Sequence, residues 1–110
     1  MAYDEALADR IRAELSEAEG VAERKMFGGL AFLVGGHMAC GIVGDELMLR
    51  LGNEGADAAL DEPHTRPMDF TGKPLKSMVY VAREGFAGDD DLRAWVARGT
   101  AFAQSLPPKR

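Results

Sequence analysis

Two side chains with the chemistry of ligands and nucleophiles, His37 and Cys40, stand three residues apart in an apolar stretch. An imidazole and a thiolate together would hold zinc, and a thiol beside a base would attack a carbonyl. The stretch alternates as a strand does, and residues three apart on a regular strand point to opposite faces, so the pair cannot share one ion. Cys40 falls on a wholly apolar face, where a free cysteine acts as a small hydrophobe. The other histidine, His64, lies in a proline-rich loop, and no metal or cofactor is expected. Gly28-Gly29 suggests a phosphate cradle, but such loops lead directly into a helix whose first amides meet the anion, and here a strand follows. A bulge, or the close approach of another backbone, is the simpler reading. Asp45-Glu46 and Asp61-Glu62 read as turn and helix-end acids. With no catalytic set assembled, the chain is not expected to be an enzyme.

Composition bounds what else the chain does. Its 110 residues make one domain, residues 1–110, with 46% apolar and 28% charged residues, as in a globular protein. The net charge of −5 argues against nucleic-acid binding by a globally basic surface. The charge is uneven: residues 1–70 carry 6 bases and 14 acids, residues 71–110 carry 7 bases and 4 acids. Lys73, Lys76, Arg83, Arg93, Arg98, Lys109 and Arg110 would form a basic edge, without the interleaved aromatics of an RNA-binding surface. A single cysteine excludes an internal disulfide. The acidic start is no signal peptide, and no apolar run approaches the ~20 residues of a membrane span. A cytoplasmic protein without membrane contact is expected.

The elements that must position these residues follow from periodicity. Tyr3, Leu7, Ile11 and Leu15 make one stripe of a helix over 4–19, with Gly20 at its end. Residues 25–51 read as three strands joined by Gly35-Gly36 and Gly44-Asp45, both two-residue hairpin signals. Perfect alternation assigns Ala31, Leu33, Met38, Cys40, Ile42, Leu47 and Leu49 to the core face. It assigns Leu30, Phe32, Val34, His37, Ala39, Met48 and Arg50 to the other. A short helix over 54–60 capped by Asn53, a loop over 63–77 with one extended piece at 68–70, and a strand over 78–81 follow. A final helix starts at Asp89-Asp90-Asp91 and buries Leu92, Trp95, Val96, Gly99, Phe102 and Ala103. The fold class is α+β: an antiparallel sheet built on a three-strand meander, with the N- and C-terminal helices packed on one face.

Arg24-Lys25-Met26-Phe27-Gly28-Gly29, followed by Leu30-Ala31-Phe32 and Met38-Ala39-Cys40-Gly41, resembles the N-terminal domain of the TfoX/Sxy family. Arg66-Pro67-Met68-Asp69-Phe70-Thr71-Gly72-Lys73-Pro74 resembles that family's second motif. Val79-Tyr80-Val81 and Ala101–Pro107 fit the same pattern, so the resemblance covers essentially the whole chain. It implies a small α+β fold and no catalytic residues. The best-known members regulate natural competence together with a cyclic-AMP receptor protein and carry a second, C-terminal domain; this chain is expected to be a stand-alone form without it. The motif residues to account for are Met26, Phe27, Gly28, Gly29, Pro67, Met68, Asp69 and Phe70.

The expected function is a non-enzymatic protein–protein interaction module, a transcription co-regulator. Its partner surface would be the second sheet face, Phe32, Met48 and Arg50, with the edge at Lys73 and Lys76, because exposed apolar area marks interfaces. The partner would be a transcription factor, or a second copy in a homodimer. The alternatives are nucleic-acid binding through the C-terminal bases, though tight direct DNA binding is not expected, and a small-ligand site uniting His37, Arg50 and Asp69.

Overall fold

The structure, a computed structural model, describes residues 3–26, 28–68 and 75–107. Asp4 caps α1 (Glu5–Glu14), its carboxylate accepting from the amides of Ala6 and Leu7 at 2.9 and 3.2 Å. That satisfies donors which a first helical turn otherwise leaves unpaired. The helix is shorter than its apolar stripe suggests. Leu15 ends it, and Gly20, at φ 70°, sits at the entry to the sheet.

Four strands follow as consecutive hairpins: β1 (Val21–Met26), β2 (Gly29–Val34), β3 (His37–Val43) and β4 (Glu46–Arg50). The meander has four strands where apolar alternation shows three. Alternation passes over β1 because Val21 through Lys25 are all exposed, so neither face of that strand demands apolar residues. Gly35 and Gly36 have φ of 62° and 86°, as a type I′ turn requires, and Gly44 alone is positive in its turn, at 61°. After α2 (Gly52–Ala59), β5 (Thr65–Met68) and β6 (Leu75–Val81) complete a six-stranded antiparallel sheet in the order β1-β2-β3-β4-β6-β5. A single 3-10 turn, Arg83–Gly85, leads to α3 (Asp89–Ser105). Thr65–Met68 of the long loop is extended, residues 69 and 70 of the expected piece lie outside the described residues, and the cap of α2 is Leu51 without any side-chain hydrogen bond, not Asn53.

One irregularity reverses the assignment of sheet faces. Val34 pairs with His37 and Leu33 with Met38 as regular alternation demands, but Phe32 pairs with Cys40. Ala39 is the extra residue of a bulge, and from there the phase of β3 shifts by one relative to β2. Leu30, Phe32 and Val34 therefore join Cys40, Ile42, Leu47 and Leu49 beneath the helices, with Leu7, Ile11, Trp95 and Val96. Ala31, Leu33 and Met38 lie on the opposite face with Met48, Met68, Met78 and Tyr80. Among the described residues, every buried apolar helix residue belongs to the first cluster, and the second is drawn from strands alone.

The bulge has a second consequence. α3 crosses β3 at Gly99, where an added Cβ would stand 2.3 Å from the carbonyl oxygen of Ala39. Only glycine permits helix and strand to approach so closely at this point. Trp95 packs beside this crossing and donates its indole N–H to the carbonyl of Gly85 at 3.1 Å, so its polar edge is satisfied. Phe102 is only partly buried, a flank of the core and not its filler.

Candidate functional site

The residues expected to form one partner surface do not share one. Phe32 is 0% exposed and lies under the helices, so it is a core residue and no partner reaches it. The bulge at Ala39 is the physical reason: perfect alternation puts Phe32 opposite the core, and one inserted residue removes that requirement. Met48 does lie on the second face, but it too is 0% exposed. Arg50 is half-buried with its guanidinium 5.5 Å from the ring centre of Phe102. Lys76 is exposed, and Lys73 lies outside the described residues. The second face as described is therefore not an exposed apolar patch; the only exposed large hydrophobics among the described residues are Val21 and Leu60.

The motif residues have structural work to do. Gly28 has φ 73° in the β1–β2 turn. Gly29 is restricted differently: a Cβ there would fall 1.8 Å from the carbonyl oxygen of Ile42 on β3. One glycine serves the turn and the next lets two strands meet, the close-approach reading of this pair. Met26 packs against the second cluster and Met68 is fully buried in it, while Pro67 is exposed on the edge strand β5. Phe27, Asp69 and Phe70 lie outside the described residues.

His37 and Cys40 are placed by the same bulge. His37 is opposite Val34, a residue of the helix-side core, and Cys40 belongs to that core, so the two point to the same side and not to opposite ones. Each is nonetheless committed elsewhere. The Nε2 of His37 meets the carbonyl oxygen of Pro107 just beyond α3. Cys40 is wholly buried, and burial pushes its thiol up to about 12, which leaves it protonated and unreactive. Among the described residues no three His, Cys, Asp or Glu side chains stand together as a metal site. Of the set His37, Arg50 and Asp69, the first meets Pro107, the second lies over Phe102, and the third lies outside the described residues.

Of the seven C-terminal bases, Lys76 is exposed, Lys73, Lys109 and Arg110 lie outside the described residues, and the three arginines between them are ion-paired. Arg83 pairs with Asp45, Arg93 with Glu14 and Asp90, and Arg98 with Glu62 while stacking on Trp95. Toward the other end of the chain, Arg12 holds Glu23 through two bonds of 2.7 Å, and this keeps the Glu23 carboxyl below its usual range. Arg24 and Lys25, next to it on β1, have no ion pair among the described residues and are exposed. Sequence reading passed over this pair because both sit inside a family motif and outside the basic C-terminal third. The available signal was a Glu-Arg-Lys run within a strand.

An antiparallel α+β domain with its helices on one face defines the class of protein. Residues 13–103 match the TfoX N-terminal domain, and the chain belongs to that family. No curated protein matches it. Among the described residues no helix is long and apolar enough to cross a membrane.

Proposed function

We propose that this domain is a non-enzymatic protein–protein interaction module that co-regulates transcription in the cytoplasm through a protein partner. Family membership supports the general role, since the family is linked to the regulation of competence. The observation that carries the binding role is the edge of the sheet at β1, along which Val21, Arg24 and Lys25 are exposed, the two cations without an ion pair among the described residues. The ion-paired state of Arg83, Arg93 and Arg98 weighs against direct nucleic-acid binding, because counterion release needs cations free to meet phosphates.

Affinity capture of the tagged protein from its source cells, with and without nuclease, tests this. A transcription factor retained after nuclease treatment is the expected result. Loss of every partner on nuclease treatment would overturn it, as would sequence-selective, submicromolar gel shifts by the protein alone.

A further inference from the structure

The two edges of the sheet are unlike. β5 is four residues long, contains Pro67, which has no amide hydrogen, and shifts register between Pro67 and Met68. Short, irregular, proline-bearing edges resist a further strand. β1 is six residues long, keeps regular register with β2, and is exposed from Val21 to Lys25.

One hydrogen bond fixes which backbone groups of β1 are free. The carbonyl of Gly20 accepts from the amide of Gly35 at 3.1 Å. Bonded and non-bonded pairs alternate along an antiparallel ladder. Ala22, Arg24 and Met26 therefore turn their backbone groups toward β2, and Val21, Glu23 and Lys25 turn theirs outward. The side chains along this edge also divide. Glu23 is occupied by Arg12 on the helix side, and Met26 packs on the methionine side. Arg24 and Lys25 stand between them, one to each face and without an ion pair among the described residues, and Val21 is 37% exposed.

Resting on the protein-binding reading above, we propose that β1 takes an extended acidic segment of a protein partner as an added antiparallel strand. Outward amides and carbonyls of Val21, Glu23 and Lys25 form the ladder, the mode of β-strand addition. Two adjacent acidic residues placed opposite Lys25 and Arg24 fall on opposite faces, each beside one cation, and an apolar residue three positions further on meets Val21. A second copy of this chain fits the same edge less well. In an antiparallel two-fold pair the longest registers centre on Glu23 or on Arg24, and each sets a like charge against itself.

Amide hydrogen exchange by NMR tests the proposal. The probe is a synthetic extended peptide with two adjacent acidic residues and a valine three positions after the second. It should slow exchange at Glu23 and Lys25, amides that are open in the free protein, and leave Ala22 and Arg24, already bonded to β2, unchanged. Replacing both peptide acids by lysine should abolish the effect. The double substitution Arg24→Glu with Lys25→Glu should weaken binding by about tenfold or more, two attractions becoming repulsions. The lysine peptide on the native chain keeps the test decisive even if that variant folds poorly. Unprotected Glu23 and Lys25 amides at millimolar peptide would overturn the proposal. So would protection that grows with protein concentration alone, which assigns the edge to a second copy. If the double variant still captures a transcription factor, the edge proposal fails and the co-regulator reading stands. If the peptide binds and no such factor is captured, the reverse holds.

Discussion

On one face of the sheet Phe32, Ile42, Leu47 and Leu49 pack against side chains of all three helices. On the other, Met38, Met48, Met68 and Met78 pack with Ala31, Leu33 and Tyr80, all of them strand residues, and Met26 lies against them. The first face is built of branched and aromatic side chains with defined shapes, which fix how helices sit on a sheet. The second is built of unbranched thioethers, which adapt to irregular space. All the methionines after the first residue are on that second face. The helix side is where the fold is specified, and the methionine side is where substitutions of similar volume are tolerated.

The largest break in this comparison should come from Phe32→Ala. Truncating a fully buried phenylalanine typically costs about 3–5 kcal/mol, and Phe32 is 0% exposed. Chemical denaturation should show that loss. Alkylation of Cys40 offers a second measurement: in the native chain the buried thiol should react only as fast as the protein unfolds, and Phe32→Ala should accelerate it. Labelling of Cys40 in the folded native chain at its full unfolded-state rate would contradict the assignment of the core face.

Gly99→Ala comes next. The new Cβ meets the Ala39 carbonyl, backbone that cannot swing aside, so helix and strand must separate. Overpacking of this kind costs about 1–3 kcal/mol. An unchanged melting temperature would mean that α3 does not cross at the bulge.

Met48→Leu sharpens the contrast from the other side. It keeps volume on the adaptable face and should cost less than about 1.5 kcal/mol. A loss as large as that of Phe32→Ala would erase the distinction between the faces.

The smallest effect belongs to Glu23, at the exposed edge. Arg12 holds its folded-state carboxyl below the unfolded value of 4.5. Its stabilising contribution is therefore present above that unfolded value and disappears as pH falls through the lower folded one. Comparing Glu23→Gln with the native chain across acid pH should show a slight difference in melting temperature near neutrality that vanishes on acidification. Exposed pairs contribute little, so a large difference would mean that Glu23 has a further partner.

Much of this was legible along the chain. The stripe Tyr3, Leu7, Ile11 and Leu15 marks α1, the paired glycines 35 and 36 define a turn by needing positive φ, and Asp89 starts the final helix. These are local rules, in which a residue's own conformational preference or its i, i+4 neighbours decide the outcome. The family motifs were legible too, and glycines 28 and 29 do serve a turn and a close approach. What could not be read was set by contacts far apart in sequence. Whether Ala39 is bulged depends on how β3 lies against β2 and α3, and that single residue decides whether Phe32 is core or surface and whether His37 and Cys40 point the same way. The freedom of Arg24 and Lys25 is likewise a tertiary fact. Their charges are plain in the sequence, but only the folded chain pairs Glu23 with Arg12 and leaves Arg24 and Lys25 without an ion pair among the described residues.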